Sequence, residues 1–212
     1  MKRTIKSALL IAASIFCMHV VYAQTFKDFF SQETNITYLG IDFTDVKVIG
    51  HTDVEVGDLV ERQFSSINQL VLNEPKKFDL IKAFHKGSVE SDISFVNAMN
   101  KKIRDTKISS VNTADEKRFT SATIDKMVKA YDFGNKKGIG VMFIMESLSK
   151  VSERASMYVT FIDMSNRKVL YTERMVEKVG GFGLRNYYAK SIYEVLDDIG
   201  KSKYKDWKKA NE

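Results

Sequence analysis

The stretch Ile139-Gly140-Val141-Met142-Phe143-Ile144-Met145 decides the fold class. A continuous apolar run of this length, with no polar residue at alternate positions, predicts a central β-strand covered on both faces. Two further strand-like runs follow it, Met157 to Asp163 and Lys168 to Val179, on either side of Met164-Ser165-Asn166-Arg167, and this spacing predicts a hairpin. Gly180-Gly181-Phe182-Gly183 then breaks the strand, and Ile192, Val195, Leu196 and Ile199 recur at the spacing of a closing helix.

Upstream, Ile36 to Ile49 (ITYLGIDFTDVKVI) is rich in β-branched and aromatic residues and reads as a first strand. Leu59, Val60, Phe64, Ile67, Leu70 and Val71 predict an amphipathic helix over Asp58 to Asn73, which Pro75 stops. Phe78-Asp79-Leu80-Ile81 reads as a short second strand. Ile93, Val96, Met99 and Ile103 share a helical face between Val89 and Arg104, with Ser88 or Ser91 as the cap. Thr113-Ala114-Asp115-Glu116 has capping-box spacing, and Phe119, Thr123, Met127 and Tyr131 continue one face toward Gly134. These elements predict an α/β fold: a single three-layer domain over residues 36–200, with a mixed sheet of about five strands packed by helices. A polar lead (24–35) precedes it and a basic tail (201–212) follows.

Lys2, Arg3 and Lys6, the apolar segment Ala8 to Met18 and the small-x-small triplet Val21-Tyr22-Ala23 have the pattern of a cleavable secretory signal, with Gln24 as the first mature residue. The expected location is therefore periplasmic or secreted. A membrane anchor needs roughly 20 apolar residues, and His19 interrupts a shorter run. Cys17 is the one cysteine and would leave with the signal, and the bulky Phe16 before it does not suit lipoprotein processing. Loss of Lys2, Arg3 and Lys6 halves the formal charge of +6. The remaining charge is mild and dispersed, unlike the concentrated basic stripe of nucleic-acid-binding domains. Lys201, Lys203, Lys205, Lys208 and Lys209 form the one local concentration. They could touch an anionic envelope surface, although cations after a helix C-terminus, ending in a frayed tail, are the simpler reading.

The opening strand Ile36 to Phe43, the short strand Phe78 to Ile81 after the first helix, and the hairpin Phe161-Ile162-Asp163 to Val169-Leu170-Tyr171 together resemble the N-terminal domain of TolB. Envelope assembly factors such as CsgG and the LpoB-type activators of peptidoglycan synthases share that arrangement. The resemblance implies a TolB N-terminal-like topology and an accessory, non-enzymatic role with an envelope protein as partner. It brings no site residue with it. The helical stretch Val89 to Tyr131 departs from the pattern, as does the lack of a lipid-attachment cysteine. The segment GGFGLRNYYAK (180–190) is also similar to one in exported bacterial proteins, and that likeness carries no function.

Candidate chemistry is sparse. Phe182, Arg185 and Tyr187 could bind a glycan, a small ligand or a partner, because aromatic faces and a guanidinium suit such sites. The glycines around Phe182 invite comparison with phosphate-binding loops, but the Walker spacing is absent and a tight turn explains them. His51, Asp53 and Glu55 alternate, so in an extended segment they share a face that could hold a divalent ion; no further ligand is identifiable, and a solvated edge is the preferred reading. The same applies to Asp42 with Asp45. Glu146, at the end of the apolar strand, is the best-placed acid for a carboxylate hydrolase, with a structural bond to Arg154 or Arg174 as the preferred alternative. The mature chain has two histidines, His51 and His85, and no nucleophile elbow. No catalytic residue, metal or cofactor is therefore assigned, and the chain is expected not to be an enzyme.

Overall fold

The predicted central strand spans Ile139–Ser149, and all of its residues are buried in the computed structural model, which describes residues 24–51, 56–104 and 108–212. In chain order the strands are β1 (Ile36–Asp42), β2 (Lys47–Ile49), β3 (Glu90–Ser91), β4 (Ser109–Ser110), β5 (Ile139–Ser149), β6 (Arg154–Asp163) and β7 (Lys168–Lys178), all in one sheet. β5 is its spine. β1 and β2 both run parallel along one side of β5, β1 against Ile139 to Ile144 and β2 against Ser147 to Ser149. β3 and β4 extend that half by parallel pairing to β1 and β2. On the other side β6 and then β7 pair antiparallel, as the predicted hairpin. The strand expected over Ile36 to Ile49 is thus two pieces, parted by a turn in which the Val46 amide donates to the Phe43 carbonyl (3.1 Å).

Helices cover both faces, which is why β5 shows no polar alternation. Ile139, Val141, Phe143 and Met145 point into the larger core and Met142 and Ile144 into the smaller one. Helix α1 consists of Val56–Asp58, a π turn at Leu59–Gln63, and Phe64–Asn73. It packs on the larger core with α5 (Leu184–Asp198), placing Phe64, Ile67, Ile192 and Val195 against the sheet. α4 (Ser121–Lys129) covers the opposite face through Ile124, Met127 and Val128, with Thr120 rather than Thr113 as its N-cap. Residues Thr113–Glu116 form only a 3-10 turn.

The second strand expected at Phe78 to Ile81 is instead helix α2 (Leu80–Phe84). Asp79 Oδ1 accepts the Lys82 amide (2.9 Å), a local N-cap that outweighs the β-propensity of four apolar residues. The place beside β1 goes to Glu90–Ser91. The helix expected from Val89 to Arg104 shortens accordingly to α3 (Ser94–Asn100), with Asp92 accepting the Ser94 amide (3.2 Å).

Because β3 is so short, the outer backbone of β1 beyond it needs other partners. Two buried amides supply them. Asn68 of α1 accepts the Ile41 amide (2.7 Å) and donates to the Ile41 carbonyl (3.0 Å). Asn100 of α3 donates to the same carbonyl (3.0 Å) and accepts the Phe43 amide (2.8 Å). β1 bulges between Tyr38 and Gly40 to bring these groups round, and Gly40 has φ +95° with Asn68 Oδ1 2.8 Å from where a Cβ would stand.

The terminal segments differ from a polar lead and a frayed basic tail. Phe26 and Phe29, in a 3-10 turn (Phe26–Phe30), are buried, and Phe26 stacks on Tyr171 of β7 with ring centroids 4.3 Å apart. Beyond α5 a π turn (Ile199–Lys203) leads directly into helix α6 (Tyr204–Ala210), which buries Tyr204 and Trp207. Glu173 of β7 accepts from Lys203 Nζ (2.6 Å), from Tyr171 OH (2.9 Å) and from Trp207 Nε1. Burial pushes this carboxyl upward, but the three donors and the Lys203 charge outweigh it and hold its pKa below the usual range. The tail reading failed because the lysines mask two aromatics at helical spacing.

Asn68→Ala and Asn100→Ala are each expected to cost about 1–3 kcal/mol, the range for orphaning buried polar groups. Exposed Gln69→Ala should change stability by less than about 0.5 kcal/mol. Urea unfolding midpoints check both.

Candidate functional site

Glu146 lies on β5 and does not end it. Met145 pairs with Met157 and Ser147 with Ser156, so Glu146 is the extra residue of a β-bulge, which turns its side chain toward the segment before α4. The residue is fully buried. Oε1 accepts the amides of Arg118 (2.5 Å) and Phe119 (2.6 Å), and Oε2 accepts Arg174 Nε (2.6 Å) and Ser156 Oγ (3.2 Å). Arg174 also donates to the Glu116 carbonyl (2.6 Å), and Tyr158 OH donates to the Phe119 carbonyl (2.9 Å). Of the two arginines named from sequence, the partner is Arg174. The Ser156 hydroxyl has one hydrogen to share between Glu146 and the nearer Glu116 carbonyl (3.0 Å), so the two amides and Arg174 are the firm donors, and with no solvent contact the carboxylate pins residues 116–119 to the sheet.

His51 is half-buried and its Nε2 shares a hydrogen bond with the Tyr188 hydroxyl. Asp53 and Glu55 lie outside the described residues, as does the expected signal Met1 to Ala23. Among the described residues no three His, Cys, Asp or Glu side chains are grouped to hold a metal ion. Asp42 and Asp45 are separated by environment. Asp45 is exposed, whereas Asp42 is buried at the end of β1, where desolvation raises its pKa despite the Thr44 amide donating to Oδ1 (2.7 Å).

The loop carrying the aromatic candidates is ordered by its own hydrogen bonds. The Gly180 amide donates to the Tyr187 carbonyl (2.9 Å) and Asn186 Nδ2 to the Phe182 carbonyl (3.3 Å). Gly181 (φ +113°) and Gly183 (φ +78°) adopt backbone conformations closed to most side chains. Phe182 thereby stands 97 % exposed. It shares a shallow depression with Arg185, Leu184, Asn186, Gln63 and Arg62. Tyr187 does not join them. It packs edge-on against Tyr188 (5.2 Å) on the side of Lys150 and Glu153, and burial lifts its pKa, with Glu153 adding to the rise. Tyr188 and Ile192 are core residues.

Two arrangements were not legible in the sequence. Lys47, Lys102, Arg104 and Arg118 line one cleft with Asp45 beyond the carboxyl end of β1. Arg118 is spent there on the Asp45 (2.5 Å) and Asp115 (3.3 Å) carbonyls, and Lys102 and Arg104 follow the C-terminus of α3, where cations complement the helix dipole. The second is a rim. Ser110, Ile49, Ser149, Arg154 and Lys178 form one paired row across the sheet. The loops after β4, between β5 and β6, and after β7 therefore emerge at the same end. They carry Val111, Val151 and Phe182, which are 89 %, 61 % and 97 % exposed. No protein-family model matches this chain, and no curated protein does.

Glu146→Ala should destabilise the protein by about 3–5 kcal/mol, because it leaves Arg174 and two amides without their acceptor. Glu146→Gln keeps an acceptor for the amides and should cost less. Urea unfolding gives the order, and a neutral effect of Glu146→Ala would mean that the carboxylate does not hold this segment.

Proposed function

We propose that this chain is an exported accessory protein of the cell envelope that works by binding rather than by turnover. The observation carrying the reading is the rim: exposed Phe182, held out on a loop stiffened by Asn186 and positive-φ glycines, with Val151 and Val111 at the same end of the sheet. Exposed apolar side chains gathered at one end of a fold mark protein or membrane interaction sites. The signal-like segment Met1 to Ala23 supports export. The sequence resemblance to the TolB, CsgG and LpoB group, which keeps its opening strand and hairpin but not the strand at Phe78 to Ile81, supports an envelope protein as partner. The carboxylate-hydrolase alternative loses its main support, because Glu146 is occupied by structural donors. The glycan-site alternative loses Tyr187 from its residue set.

Recovery of the tagged protein from cross-linked native cells is expected to bring a stoichiometric envelope component with it. Repeated recovery of the chain alone, or hydrolytic turnover by the purified protein, would contradict the binding reading.

A further inference from the structure

We infer that the rim carrying Phe182, Val151 and Val111 docks on an anionic lipid surface, an inference that rests on the binding reading above and names what is bound. The three side chains sit on three separate loops, along a row of five strands that spans about 19 Å at the usual strand spacing. No described cavity is lined by any two of them, and the one that Phe182 lines is a shallow depression shared with Arg185. Protein–protein hot spots are fitted and ringed by contacts that exclude water. A fluid interface needs only apolar tips that reach past the headgroups and cations level with the phosphates.

The cations are present. Arg154, Lys178 and Arg185 are exposed beside the tips, and Lys190 lies under the loop, its Nζ 3.5 Å from where a Gly180 Cβ would stand. Glu153 and Glu177 are the acids beside these cations, and Asp115 accepts from Ser110 next to Val111 (2.5 Å); burial and then Asp198 and Glu194 push the Glu177 pKa up. Phe182 lines one depression with Arg185, three residues on, and phenylalanine is among the side chains that interfacial elements bury below the headgroups. The rim is distinct from the C-terminal lysines, of which Lys201 and Lys203 in the π turn before α6 are paired with Asp197 (2.6 Å) and Glu173 (2.6 Å).

The test is co-sedimentation of the chain from Gln24 onward, which holds every described element, with vesicles of phosphatidylcholine alone or containing about one third phosphatidylglycerol. The wild type is expected to bind the anionic vesicles more tightly than the neutral ones, and less as salt rises. Phe182→Ser should weaken binding about tenfold or more, and Arg185→Glu should reduce the preference for anionic vesicles, both with unchanged thermal midpoints because both side chains are exposed. Loss of binding in Lys205→Glu/Lys208→Glu with Phe182→Ser unaffected would overturn the inference in favour of the C-terminal helix. So would wild-type protein that stays in the supernatant. If, in that case, an envelope protein is still captured from cross-linked cells, the binding function stands and only the lipid surface is wrong.

Discussion

Hydrogen bonds from two backbone amides and Arg174 to one buried carboxylate organise this molecule. β5 is apolar from Ile139 to Met145, and the bulge at Glu146 that ends this run turns the Glu146 side chain toward residues 116–119. A bare carboxylate in this position would be prohibitively costly. Two backbone amides, Arg174 and Ser156 make it tolerable, and in doing so they fix the chain direction just before Thr120 caps α4. The smaller core, with Phe119, Ile124 and Val128 against Met142 and Ile144, follows from that anchor.

The same solution recurs around the sheet. Where a strand edge lacks a neighbour, a buried amide takes its place, as Asn68 and Asn100 do along β1. Where the final helix meets β7, Glu173 gathers Lys203, Tyr171 and Trp207. Polar groups that a functional reading would single out are thus committed to the architecture. Exposed Val111, Val151 and Phe182 lie instead at the sheet end where β5 finishes.

Much of the architecture was readable because it rests on periodicity. The run Ile139 to Met145, the hairpin about Ser165 and Asn166, and the helical face of Ile192 and Val195 each state their own environment. Phe78 to Ile81 misleads because four residues carry too little periodicity, and a single Asp79 cap decides for helix. Tyr204 and Trp207 were obscured by neighbouring lysines, although their spacing was the available signal. Glu146 was visible as an unusual acid, but its choice of Arg174 depends on strand register, which no local pattern encodes. The rim was invisible for the same reason: Val111, Val151 and Phe182 are far apart in sequence and meet only through the pairing of five strands.

Hydrogen exchange at the Arg118 and Phe119 amides is the most direct measurement of the central constraint. Both lie in an irregular segment, so exchange at close to the rate of an open loop would otherwise be expected. If Glu146 holds them as described, they will be protected to a degree approaching the β5 amides, and will lose that protection together in Glu146→Ala. Rapid exchange of both in the wild type would contradict the account, leaving Glu146 free and the carboxylate chemistry open again.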